Sequence, residues 1–185
     1  MSLTIEKTPL EGLLVVKPRV FRDERGFFVE TYNKEIFAAA GISTEFKQDN
    51  HSKSSKGTLR GLHYQTTPGQ AKLVRCAVGA IWDVAVDIRP ESPTFGQHHG
   101  IVLTPEDVTM FYIPVGFAHG FVVLSDTAEV LYKSSNVYNP ATEAGLAWND
   151  PELKVAWPIQ GMDLLLSERD KTNQSFVEWR KSVGA

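Results

Sequence analysis

The sequence predicts an all-β fold, a sandwich or barrel of short strands, and three observations carry that expectation. From Leu73 onward apolar runs recur at a steady interval: LVRCAVG, AIWDVAVDI, GIVLT, MFYIPVG, GFVVLS and EVLYKSSNVY. The breaks are turn formers: Gly79, Arg89-Pro90 through Gly96, Pro105-Glu106-Asp107, Pro114-Val115-Gly116, Ser125-Asp126 and Asn139-Pro140. Short strands with Gly/Pro turns at such spacing belong to β-sandwiches and barrels. Within IWDVAVDI, Trp82, Val84, Val86 and Ile88 share one parity and Asp83, Ala85 and Asp87 the other. One face is therefore apolar, and the two carboxylates are expected to look into a polar cavity or solvent.

The elements before Leu73 are less regular. Leu13–Val16 is a short apolar run, interrupted at Pro18 before Val20 and Phe21. In FRDERGFFVETY, residues 21–32, charges cluster at a turn (Asp23, Glu24, Arg25, Gly26), and Phe27, Phe28, Val29 and Tyr32 suggest a strand. Asn33 is placed to cap a helix through NKEIFAAA that Gly41 closes, and Ser175–Ser182 is the second helix expected. Phe46–Ser55 is polar and strand-like only at its start. No repeat, linker or low-complexity segment interrupts the chain, so residues 1–185 are expected to form one domain.

Composition narrows the function classes. A net charge of −3 with mixed signs argues against a nucleic-acid surface. Cys76 is the only cysteine, so no disulfide framework and no cysteine metal cage arises within one chain. No apolar run approaches a membrane span, and the N-terminus lacks a basic segment followed by an apolar core. A soluble cytoplasmic protein is the expectation.

The chemistry concentrates in TLRGLHYQTTPGQAK, residues 58–72, which gathers Arg60, His63, Gln65 and Lys72 in one strand-like run ending in a turn at Pro68-Gly69. Alternation puts Gly61, His63 and Gln65 on one face and Arg60 on the other, but Gly61 hints at a bulge that could bring Arg60 and His63 together. A histidine with cations on both sides suits gripping an anion and moving a proton. A strand histidine by itself is more often a satisfied core or surface residue.

Two histidine contexts resemble the cupin superfamily, a double-stranded β-helix or jelly roll. P-x-G-x-x-H ending at His119 is similar to its second motif, and G-x-H-x-Q at His63 looks like a degraded first motif. Where a second metal-binding histidine would stand there is Gln65, no Glu follows nearby, and Lys72 adds a positive charge. The expectation is that the metal site has been lost.

More closely, the chain resembles the dTDP-4-dehydrorhamnose 3,5-epimerase family. The matching stretches are FRDERGFFVETYN, FKQDNHSKS, TLRGLHYQ, AKLVRCAVGAIWDVAVDIRPESPTFGQ, IPVGFAHGFVVLSD, EVLYKSSNVYNP, GLAWNDP and LSERD, in order from about Phe21 to Asp170. The resemblance implies that His63 is the base removing protons from C3 and C5 of a dTDP-4-keto-6-deoxy sugar, with Asp170 hydrogen-bonded behind it. Lys72 would stabilise the enolate oxygen at C4 and Tyr132 would return a proton on the opposite face. His119 and Arg60 would contact the sugar or pyrophosphate, Tyr138 would stack on thymine, and Arg25, Glu30, Gln48, Asn50, Glu143 and Arg169 would bind the nucleotide sugar. The region around Arg25 and Glu30 would reach into a partner subunit's site, which implies a homodimer. No cofactor is implied.

Blander readings stand beside these. Tyr132 could be a core tyrosine, Asp170 a helix cap or turn residue, and Phe27-Phe28 core or dimer packing. His98 and His99 are expected in a surface turn, and His51 carries no assigned role. A single-carbon epimerase or keto-isomerase on the same scaffold, a metal-dependent cupin and a non-catalytic sugar-nucleotide-binding cupin are the competing functions.

Overall fold

The computed structural model describes residues 2–184. Three antiparallel sheets are built from thirteen strands: β1 (Leu3–Lys7), β2 (Leu14–Pro18), β3 (Val20–Asp23), β4 (Gly26–Val29), β5 (Gln48–Ser55), β6 (Leu59–Gln65), β7 (Lys72–Val78), β8 (Ile81–Asp87), β9 (His98–Leu103), β10 (Met110–Ile113), β11 (Phe117–Val123), β12 (Thr127–Ser134) and β13 (Glu143–Gly145). One sheet runs β1-β2-β10-β7-β12-β5, a second β13-β6-β11-β8-β9, and β3-β4 form a separate hairpin. The two larger sheets pack face to face as in a jelly roll. Val74, Cys76, Phe111 and Val130 of the first meet Ile81, Ala85, Phe117 and Phe121 of the second.

Helices cover both outer faces. The helix expected after Asn33 is α1 (Lys34–Ala39), whose first backbone N–H groups donate to the Asn33 side chain. Its Phe37 packs with Ile42 on Val16, Leu73 and Met110, the outside of the six-stranded sheet. The C-terminal helix is α3 (Phe176–Val183), opened by a capping box between Ser175 and Glu178. Phe176 and Trp179 cover Leu62, Val84, Val86 and Ala118 on the outside of the other sheet. No helix of the described residues is long and apolar enough to cross a membrane.

Several expectations need correction. The polar stretch after Phe46 is a full edge strand, β5, in which Gln48, Asn50 and Ser52 are half-buried while Asp49, His51 and Lys53 are exposed. Its alternation is polar against polar, because its inner face looks toward a polar cavity. His98 and His99 are half-buried in β9, paired with Val86 and Ala85, rather than in a surface turn. Phe27 and Phe28 are exposed on the hairpin and lie outside the apolar cores of the described residues. Asp83 and Asp87 face neither solvent nor a cavity; both are fully buried. Burial works against the charge of Asp87, but hydrogen bonds from Arg89, Ser92 and Thr94 outweigh it and hold the carboxyl down to about 2.

The expected bulge lies in β6. His63 pairs with His119 and Arg60 with Phe121, so three steps along β6 oppose two along β11. The extra residue turns Arg60 and His63 toward the same side of the sheet. Gly61 sits there at φ +131°, and an added Cβ would lie 2.6 Å from the Gly120 Cα and 2.9 Å from the His119 carbonyl oxygen. Backbone cannot yield as a flexible side chain can. Gly61→Ala is expected to cost about 2 kcal/mol or more, lowering the thermal midpoint by roughly 5 °C in a calorimetric scan.

Candidate active site

A cavity of about 270 Å³ opens between the two sheets, lined by His63, Gln65, Lys72, Tyr132, Gln48, Asn50, Tyr138 and Glu143 among others. His63 comes from β6 of the five-stranded sheet, whereas Lys72 and Tyr132 come from β7 and β12 of the six-stranded one. The two walls thus present a histidine and a phenol from opposite sides.

Behind His63 lies Asp170, which sits inside a short helix, α2 (Glu168–Thr172), at a position the sequence left open between helix cap and turn. Its Oδ1 is 2.5 Å from His63 Nε2, and Ser167 Oγ donates to Oδ2 at 2.8 Å. Burial opposes the carboxylate, but bonds from His63, Ser167 and the Gly61 N–H together hold it below its ordinary range. An ionised carboxylate only accepts, so Nε2 carries the proton and Nδ1 is left as the basic nitrogen.

Burial also pushes the Tyr132 hydroxyl up from its usual value, against the pull of Arg60, so it remains protonated at neutral pH. Arg60 is held by Ser54 Oγ at 3.1 Å. Burial lowers the Lys72 ammonium to about 8, with Asp83 and Glu143 opposing that fall. His119 lies beside it: Lys72 Nζ is 3.5 Å from His119 Nδ1, and His119 Nε2 is 2.9 Å from Asp83.

At the mouth, Tyr138 donates its hydroxyl to Glu143 at 2.6 Å and its backbone N–H to Gln48 at 2.8 Å, and Arg169 pairs with the same Glu143 carboxylate. Gln48 in turn donates to Asn50 at 2.9 Å. Of the thirteen residues expected at the site, seven line this cavity, Asp170, Arg169 and His119 bond to residues that line it, and Arg60 acts on it through its charge beside Tyr132. Arg25 and Glu30 do none of these: Arg25 pairs with Asp23 on the exposed hairpin, and Glu30 accepts from Asn33. Sequence reading left Asp83 unassigned and passed over Gln70 and Ser134, which also line the cavity. Parity could point to Asp83, but not to its partner. No group of three or more His, Cys, Asp or Glu among the described residues could hold a metal ion.

The family model for dTDP-4-dehydrorhamnose 3,5-epimerase matches residues 7–178. The chain belongs to that family. It is 51% identical over 178 residues to the dTDP-4-dehydrorhamnose 3,5-epimerase of Shigella flexneri, covering 95% of this chain and 97% of that protein. The Pseudomonas aeruginosa enzyme of the same description is 52% identical over 170 residues, with 91% and 93% covered. Among solved structures, the Legionella pneumophila dTDP-6-deoxy-D-glucose-3,5-epimerase, in complex with dTDP-4-keto-L-rhamnose, superposes with a TM-score of 0.90 at 43% identity. That match covers 94% of this chain and 92% of the other.

The depressed Lys72 value carries a stability consequence. Below pH 8 both folded and unfolded chains hold the lysine proton, so the full desolvation penalty applies. Between pH 8 and 10.5 the folded chain has released it while the unfolded chain still binds it, and the penalty shrinks as pH rises. Lys72→Met is expected to be more stable than the parent by about 2 kcal/mol at pH 7, a gap that narrows toward pH 10. Urea unfolding at the two pH values measures it.

Proposed function

We propose that the chain inverts C3 and C5 of dTDP-4-dehydro-6-deoxy-D-glucose, giving dTDP-4-dehydro-L-rhamnose, with His63 as base and Tyr132 as acid. The observation that carries this reading is the placement of those two groups on opposing sheets across one cavity that also holds the Lys72 ammonium. Both carbons are α to the C4 carbonyl. His63 Nδ1 takes the C–H proton, the electron pair moves onto the C4 oxygen, and the Lys72 ammonium stabilises the enolate that forms. Tyr132 then gives its hydroxyl proton to the other face of the same carbon, and the configuration inverts. Asp170 holds the histidine tautomer throughout.

The remaining residues grip the nucleotide sugar. Tyr138 offers a half-exposed ring for the thymine, and Gln48, Asn50, Glu143 and Arg169 form the hydrogen-bonded rim around it. Arg60 supplies positive charge for the pyrophosphate, and His119 a contact to the sugar. The reaction draws on no cofactor and proceeds in the cytoplasm.

The functional unit in this reading is a homodimer. Arg25 and Glu30 lie at the hairpin and just beyond it, away from their own cavity, and Phe27 and Phe28 expose more than half their surface there. The hairpin of one subunit would bring Arg25 and Glu30 to the partner's site. Replacing Phe27 and Phe28 together by Ser is expected to weaken dimerisation roughly 100-fold, as sedimentation equilibrium would read it.

Proton NMR with the keto-sugar substrate in D2O tests the chemistry. Deuterium is expected at both C3 and C5 with conversion to the L-configuration. Label at one carbon alone would make the chain a single-carbon epimerase. His63→Ala should lose at least about 100-fold in turnover while still binding dTDP, and a variant keeping a tenth of the parent rate would remove His63 as the base.

A further inference from the structure

Asp83 is fully buried, takes no part in the cavity wall, and has no role in the reaction described above. Its carboxylate lies 3.0 and 2.9 Å from His119 Nε2, one contact to each oxygen. His119 is buried as well, and its other ring nitrogen, Nδ1, lies 3.5 Å from Lys72 Nζ. We infer that Asp83 is a positioning residue: through His119 it aims the Lys72 ammonium into the cavity and helps keep its proton there. The inference rests on the reading of Lys72 as the group that faces the developing C4 oxyanion.

The direction of the chain follows from which atoms can donate. An ionised carboxylate only accepts, so the proton between Asp83 and His119 belongs to Nε2. Burial, with help from the nearby Lys72 charge, lowers His119 against the opposing effect of Asp83, so the ring is neutral and has no second proton. Nδ1 is therefore a bare acceptor, turned toward an ammonium that can only donate. The opposite tautomer would set an N–H against that ammonium and push it away. One buried carboxylate thereby decides which way the imidazole presents its lone pair, and that lone pair decides where Lys72 points.

Strand pairing reinforces the arrangement. His119 pairs with Ala85 across β11 and β8, two residues along from Asp83, and with His63 across β11 and β6. The imidazole thus sits between the base and the carboxylate on a rigid central strand. The charged and titratable groups around Lys72 are Asp83 from β8, His119 from β11, Glu143 from β13, His63 from β6 and Tyr132 from β12. Of these, Asp83 and Glu143 raise its affinity for the proton. Removing the Asp83 charge should let Lys72 deprotonate at lower pH.

Asp83→Asn tests this, because asparagine keeps the shape but loses the charge and can donate to Nε2, reversing the tautomer. The expected result is a fall in kcat of about tenfold or more with KM within about threefold. The alkaline limb of the kcat profile should move down by about one pH unit. A loss of rate with the limb unmoved would mark Asp83 as structural and overturn the inference, as would a folded variant whose kcat and pH profile match the parent's. 15N-histidine NMR of the parent, with His119 assigned through His119→Gln, gives a test independent of whether Asp83→Asn folds. A neutral Nε2–H tautomer at pH 7 is expected; an Nδ1–H tautomer or an imidazolium would refute it. Lys72→Met separates the two readings. If it keeps its rate, the Lys72 role falls and this inference with it; if it is inactive while Asp83→Asn is unaltered, only Asp83's role falls.

Discussion

The constraint that the rest of the structure depends on is desolvation: ionisable groups are placed between two sheets, where an unpartnered charge is costly. Each carboxylate at or near the cavity has its counterpart. Asp170 accepts a hydrogen bond from His63, Asp83 accepts one from His119, and Glu143 accepts from the Tyr138 hydroxyl and pairs with Arg169. These contacts tie distant parts of the chain together. Asp170 lies 107 residues from His63, and it is held against β6 from both sides: Leu165 bonds the backbone of Gly57 and Leu59, and Phe176 and Trp179 of α3 anchor the segment that follows on the outer face of the same sheet. The second apolar layer therefore has a functional task. It delivers a carboxylate to the back of an imidazole.

The bulge in β6 is the other half of the geometry. In a regular strand Arg60 and His63 would project to opposite faces; with one extra residue on β6 both come to the same side. The close passage of Gly61 over Gly120 is what lets β6 and β11 stay adjacent through that irregularity. A cation suited to a phosphate and a base suited to a carbon acid thus come from one short run of sequence. The same segment then turns at Pro68-Gly69 and enters the opposite sheet, where it contributes Lys72.

Much of this was legible from residue order alone. Apolar runs separated by turn formers marked the strands from Leu73, and Asn33 and Ser175 marked two helices through their capping chemistry. What escaped reading escaped for physical reasons. β5 carries no apolar alternation because its inner face is wetted by the cavity, so a hydrophobic pattern could not reveal it. α2 is five residues long, too short a window for a helical period to be read from sequence. For Asp83 and Asp87, parity correctly gave them a shared face, but their burial depended on partners it could not name: His119 for one, Arg89, Ser92 and Thr94 for the other. The hairpin phenylalanines read as core or dimer packing, and their exposure in this chain speaks against the first of these alone.

Taken together, these features divide the labour of the proposed reaction between substrate and protein. The substrate's own C4 carbonyl makes its neighbouring C–H groups acidic, so the protein has only to hold charge and supply protons from two directions. A jelly roll is suited to that, because its facing sheets place side chains from separate strands across a narrow gap without any loop having to close. The cost falls on Lys72. A cation whose proton affinity burial has lowered to about 8 weakens the fold at neutral pH. The same desolvation strengthens its grip on an oxyanion, because charges interact more strongly where burial lowers the local dielectric. Stability lost at Lys72 and stabilisation gained by an enolate are thus two readings of one electrostatic fact.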